Sequence, residues 1–396
     1  PRQIFGERGT SQEWVNILGN VSDPDGISSL VFSINGGVQR SIAVGPDGNR
    51  LTKDGDFNVE IWRGELLDGE NELVITAGDS LSNYSSETVI IEHHSGNMWP
   101  FPYEIRWREV DNIQDVAQVV DGLWEIGPDG LRTAEVGTDR MVAVGDLVWT
   151  DYEIVVPVTL RRVYTGNDEN VTPAVGLLMR WTGHVDPESG EDIQPRTEWP
   201  KNTTSAWWIW EKTTKLEFGH NDQVDFEPRV GVPYMLKLRA NTQPDGRTLY
   251  RLKAWVQSQP EPEKWSVTYE AKAASPRNGS LILLARYVDV VFGNLMVTGL
   301  APLPTPTPLP THTPTITPTP TVTNTPTPTN TPTITPTPTA TRIVVADTID
   351  TNATIDPSLN ASSALYQDMS LLYGLTFGVM VLILVGLAVV VRRMAS

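Results

Sequence analysis

Along most of the chain, apolar and polar residues alternate with a period of two, as strands with one buried face require. "FNVEIW" is the cleanest case, with Phe57, Val59 and Ile61 on one side. Runs of this kind predict strands over 14–18, 30–34, 38–44, 57–62, 72–77 and 88–92. Pro24-Asp25-Gly26 and Pro46-Asp47-Gly48 punctuate them, and Asp and Gly suit a chain reversal. The pattern resumes over 123–126, 141–144, 152–160, 175–181, 206–210, 215–218, 234–239, 250–256, 265–270, 280–287 and 290–297. Helical periodicity is nearly absent. The first group predicts a β-sandwich of ordinary size, and the longer second group a large antiparallel sandwich or jelly roll.

Two later stretches break the alternation. Residues 302–341 interleave Pro and Thr and carry no charged side chain apart from His312. Proline fixes φ and drives the preceding residue towards extended geometry. A disordered linker of polyproline II character is therefore expected, a spacer of roughly 3.1 Å per residue whose threonines offer sites for O-glycans. Residues 371–391, "LLYGLTFGVMVLILVGLAVVV", carry no charge at all. At ~1.5 Å per residue such a helix spans about one bilayer core. Asp368 precedes it, and Arg392 and Arg393 follow. The positive-inside rule then places the tail 392–396 in the cytoplasm and everything before 371 outside. Membrane lipid is thus an expected partner. Gly374 and Gly378 form a GxxxG within the span, a spacing that lets two helices approach and offers a homodimer. No Leu-Pro-x-Thr-Gly precedes it, so a retained anchor is expected rather than sortase cleavage. An exported head needs a signal peptide, expected either to have been removed or to lie upstream of Pro1.

Composition narrows the chemistry. Cysteine is absent, which removes disulfides, thiolate metal sites and cysteine nucleophiles. The net charge of −18 opposes binding to nucleic acid. The five histidines (93, 94, 184, 220 and 312) show no ligand spacing, so no transition-metal site is expected. Asp23, Asp25, Asp54 and Asp56 read as turn-forming residues and complete no calcium loop. No cofactor is expected, with calcium held through backbone carbonyls left open. All tryptophans except Trp14 and Trp62 lie between Trp99 and Trp265, which marks that region as folded and aromatic-rich.

The aromatics carry the main functional lead. In "SAWWIWEKTTKLEFGH", alternation puts Ala206, Trp208 and Trp210 on one face and Trp207, Ile209 and Glu211 on the other. Exposed indoles stack on the apolar faces of sugars, and the alternative for Trp208 and Trp210 is core packing. In "GLLMRW", Trp181 shares a face with Val175, Leu177 and Met179, which sends Arg180 the other way, towards a cleft. Trp199 sits in a proline-flanked loop within reach of a rim. Arg180, Trp199, Trp208 and Trp210 are accordingly the candidate carbohydrate-binding residues.

Two family resemblances rest on specific segments. "ILGNVSDPDGISSLVFSING" followed by "LLDGENELVITAGDSLSN" resembles a bacterial immunoglobulin-like repeat. "WTDYEIVVPVTL", "AVGLLMRW", "VPYMLKLRA", "LKAWVQSQPEPEKWSVTYEA" and "NGSLILLARYVDVVFGNLMVTGL" are similar, in order, to strands of the concanavalin A-like lectin/glucanase superfamily, LamG-like domains included. The second resemblance implies a lectin, a hydrolase or a plain adhesive module. Retaining glucanases of that fold carry E-x-D-x-x-E on one strand. No such motif occurs here, and the nearest pair, Asp225 and Glu227 in "DQVDFEPR", has the wrong order. No catalytic residue is assigned.

The expected organisation is all-β. It comprises an immunoglobulin-like sandwich (1–95), a concanavalin-like sandwich (96–300), a Thr/Pro stalk (301–341), a connector (342–370), a membrane helix (371–391) and a tail (392–396). The expected function is surface adhesion or binding of an extracellular glycan or envelope polymer. The rivals are a glycoside hydrolase or lyase of the same fold and a structural envelope protein without a small ligand.

Overall fold

The structure is a computed structural model that describes residues 1–165, 171–186, 194–211, 213–218, 222–271, 274–300 and 341–346. Residues 301–340 and 347–396 lie outside the described residues. With them lie the stalk, most of the connector, the expected membrane helix with Gly374 and Gly378, and the tail. Among the described residues no helix is long and apolar enough to cross a membrane.

The alternating segments form strands throughout. The N-terminal region holds β1 (Arg2–Phe5), β2 (Trp14–Ser22), β3 (Ile27–Ile34), β4 (Arg40–Ser41), β5 (Asp56–Trp62), β6 (Gly69–Asp79) and β7 (Tyr84–His93). One sheet runs β1-β7-β6-β3-β4. Ile17, Phe32, Val59, Ile61, Leu73, Ile75, Val89 and Ile91 fill the space beneath it, all fully buried. The expected 38–44 strand shrinks to Arg40–Ser41. Beyond it the chain leaves the sheet, and Ala43 N donates to Gln194 O of the large sandwich.

The large sandwich contains β8 (Tyr103–Ile105), β9 (Gln118–Asp121), β10 (Trp124–Gly127), β11 (Gly130–Thr133), β12 (Arg140–Val144), β13 (Tyr152–Val163), β14 (Ala174–Trp181) and β15 (Thr204–Trp210). It continues with β16 (Thr214–Phe218), β17 (Asp222–Asp225), β18 (Pro233–Thr242), β19 (Thr248–Val256), β20 (Val267–Ala271), β21 (Ser280–Arg286), β22 (Val288–Phe292) and β23 (Leu295–Gly299). One jelly-roll-like sheet runs β10-β11-β22-β13-β18-β19-β20, with β23 joining β13 to β8. The facing sheet has seven strands, β17-β16-β15-β14-β21-β12-β9. The expected 290–297 strand is broken at Gly293-Asn294. Both residues accept bonds from buried Trp107, Gly293 O from its Nε1 and Asn294 Oδ1 from its backbone N.

A last strand, β24 (Arg342–Val345), falls where a connector is expected. It pairs antiparallel with β2 and gives the small sandwich a second sheet, β24-β2-β5.

The small sandwich packs on the β9 and β12 side of the seven-stranded sheet. This explains why β5 is buried on both faces, with Asn58 and Glu60 as inaccessible as Val59. Their partners come from across the junction. Asn58 Nδ2 donates to Val120 O at 2.9 Å, and Glu60 Oε2 accepts from Arg196 N at 2.8 Å. Arg50 bridges Glu60 and Asp121, both at 2.8 Å. His184 lies 3.9 Å from each of the same two carboxylates.

Candidate functional site

The outer face of the seven-stranded sheet is the place to look for a site, because its strands carry the tryptophan-rich segments. β15 decides which indoles face where. Trp208 points inward and is 1% exposed. It meets Tyr234 and Phe226 edge-on at 5.1 and 5.3 Å and stacks on half-buried Trp210 at 5.9 Å. Its Nε1 donates to Phe226 O at 3.3 Å. Alternation separated the two faces of β15 correctly, but the face of Trp208 and Trp210 is the core face. Neither residue stands on the outer surface of the sheet.

Arg180 is likewise not in a cleft. The ladder between β14 and β21 slips between Met179 and Trp181, and Arg180 takes a left-handed φ of 61°. This bulge reverses the parity of the residues around it. The guanidinium turns into the interior, 0% exposed. There it donates to Thr150 O (3.0 Å), Pro276 O (3.1 Å), Thr242 Oγ1 (2.9 Å), Asp151 (2.8 Å) and the Thr248 hydroxyl. Trp181, expected in the core with Met179, emerges instead on the opposite face. Its Nε1 donates to Gln12 Oε1 of the small sandwich at 2.9 Å.

The outward residue of β15 is Trp207, and the ladder registers show what surrounds it. One row across the sheet reads Leu284, Gly176, Trp207, Glu217, Gln223. The next reads Arg286, Ala174, Ile209, Lys215, Asp225. Gly176 makes the first row workable. A Cβ there would stand 2.8 Å from Trp207 Cζ3, so its absence lets the indole lie down across β14. Trp199 then stacks on Trp207 with centroids 5.8 Å apart and planes 16° from parallel. Trp181 meets Trp199 edge-on at 6.2 Å. The Arg286 guanidinium sits 5.1 Å from the Trp207 centroid, where the ring quadrupole attracts it. Asp139 holds it with bonds of 2.6 and 2.8 Å. Burial pulls the Arg286 pKa down, but the Asp139 bonds outweigh it and raise the net value, so the cation is fixed.

Small-sandwich residues cover this face from β9 as far as Trp181 on β14, and the Trp199/Trp207 stack adjoins them on the side of β15. Trp199, the outermost ring, keeps part of its surface in solvent. Gln223 and Asp225 are exposed, Lys215 half-buried and Glu217 buried. Lys215 Nζ reaches Glu211 at 3.3 Å. Of the four residues expected from sequence, the structure brings only Trp199 to this face. Alternation puts Trp207 on the other face without making it a candidate, and Gly176 goes unnamed; the signal for both is a glycine in the middle of an otherwise large-residue strand.

A second polar cluster lies on the small sandwich. Carboxylate oxygens of Asp23, Asp25 and Asp79 come within 4.8 Å of one another, a donor set of the kind that can hold a cation. Asp79 already accepts from Leu81 N, Asn83 N and Asn83 Nδ2, which accounts for its burial without an ion. Asp54 and Asp56 do not join the cluster. Asp56 instead accepts from Lys53 N and Asn20 Nδ2.

No protein-family model and no curated protein sequence matches the chain. Solved structures share its strand arrangement in part. The Ca2+-bound exoplasmic/lumenal domain of VIP36 has a TM-score of 0.33 at 10% identity, over 49% of this chain and 90% of that one. The metal-free carbohydrate recognition domain of Emp46p has 0.34 at 10%, over 50% and 97%. Winged bean acidic lectin, complexed with methyl-alpha-D-galactose, has 0.32 at 8%, over 50% and 98%. At these scores the likeness transfers no function, and the site stands on its own geometry.

Proposed function

We propose that the chain is a membrane-displayed carbohydrate-binding protein and that it holds saccharide on the β15–β17 end of the seven-stranded sheet. The observation that carries this reading is the partly exposed Trp199 ring, stacked on Trp207, which is itself 7% exposed, with the polar residues Lys215, Gln223 and Asp225 on the strands beyond β15. A pyranose needs an apolar surface for its axial C–H face and donors and acceptors for its hydroxyls, and this patch offers both. Arg286 and Gly176 fix the lower ring, so little side-chain entropy remains to be lost on binding. The anchor expected at 371–391 would present many copies side by side. Avidity then raises the effective affinity of a shallow site by orders of magnitude without new contacts.

The test is a screen of the full chain against a panel of neutral and charged oligosaccharides. Binding to at least one glycan class, abolished by the free sugar, is the expected result. A folded chain that binds none of them contradicts the reading and favours a structural envelope role.

A further inference from the structure

We infer that the edge of β2 opposite β5 is a strand-acceptor site for an extended peptide with apolar residues at alternate positions, a site that the chain's own residues 342–345 fill. The register is Gly19 with Val345, Asn20 with Val344, Val21 with Ile343 and Ser22 with Arg342. This parity sends Ile343 and Val345 towards the small core and Arg342 and Val344 outward. Val345 is 6% exposed and belongs to the core, and Ile343 packs against it. Both ends of the strand are tied as well. Thr341 Oγ1 donates to Asp23 Oδ2 at 2.7 Å. Ala346 N donates to Leu18 O at 2.8 Å, and Ala346 O accepts from Gln3 Nε2 at 3.0 Å. Gly19 leaves room on both sides, since a Cβ there would stand 2.3 Å from Phe57 Cζ of β5 and 2.5 Å from Val344 O of the docked strand. Main-chain pairing supplies affinity, and the two inward positions packed on the small core supply selectivity, as in other strand-addition sites.

The occupant is the chain's own segment rather than a second copy's. Residues 301–340 join it covalently to the end of β23, so pairing with its own segment is intramolecular whereas a second copy's segment must be captured from solution. The Thr/Pro segment therefore has both of its ends on one folded unit while the strand is docked.

The natural absence of cysteine gives a clean test. Ser22 and Arg342 are exposed cross-strand partners, so S22C/R342C in the full chain probes the pairing without touching the core. Oxidation is expected to give an intrachain disulfide in most molecules, seen as faster migration on a non-reducing gel. Adding I343D and V345D is expected to lower that yield at least tenfold. A mixture of S22C and R342C single variants is expected to give little mixed dimer. No intrachain bond in the double variant overturns the site, and abundant mixed dimer overturns the choice of occupant. The readout needs no glycan, so it stands or falls apart from the binding reading.

Discussion

Arg180 is the residue on which sequence and structure differ most, and the physical reason is a single inserted position. Strict alternation sends it outward. The bulge at φ 61° turns it in and turns Trp181 out. Nothing in "GLLMRW" announces a bulge, because its energy comes from partners far away in sequence: Asp151, Thr242, Thr248 and Pro276. The consequence is stability rather than recognition. R180M removes a buried charge whose partner Asp151 stays behind, and is expected to lower unfolding stability by about 3 kcal/mol or more. Chemical denaturation checks this, and glycan binding by the folded fraction should be unchanged. A variant as stable as the parent contradicts the buried-staple role.

At the scale of elements, most strands were legible because period-two alternation survives wherever one face meets a core. Short strands such as β8, β9 and β11 were not, since three to four residues give too little pattern. β24 was missed for the same reason and because it follows a long stretch with no pattern. β5 shows the limit of alternation from the other side. Its polar residues are buried by the large sandwich, which no local pattern encodes. β14 carries the prediction at this scale. G176A places a methyl group against the Trp207 ring, and overpacking of this kind costs typically 1–3 kcal/mol. Trp207 must shift, so saccharide binding is expected to weaken together with thermal stability. Unchanged binding with a lowered melting temperature would remove Trp207 from the site.

For the whole molecule, the junction between the sandwiches sets a pH response. Burial, helped by Arg50 and Arg196, pushes the His184 pKa well below its ordinary value. The folded state then lacks a proton that the unfolded chain binds, so stability is full above about 6.5 and falls as the pH drops below it. Asp121 acts in the opposite sense. Burial raises its carboxyl to about 6, against the pull of Arg50 and Arg140. Its contribution is present at low pH and lost as the pH rises through 6. The two effects oppose one another between about pH 4 and 6. D121N removes the offset, so its loss of stability on acidification is expected to be steeper than that of the parent. Urea unfolding midpoints across pH 4–7.5 measure this, and parallel curves contradict it.

The same junction covers the β9 and β12 side of the seven-stranded sheet, and the proposed binding face adjoins it at Trp199. Calorimetric titration of the best panel glycan into the parent, W199A and W62A tests that most directly. Trp62 is a suitable control because it is 47% exposed on β5 of the small sandwich and, among the described residues, makes no ring contact with Trp199, Trp207 or Trp181. W199A is expected to bind at least tenfold more weakly, as loss of an aromatic anchor does, and W62A to bind like the parent. Full affinity in W199A would contradict the assignment of the site.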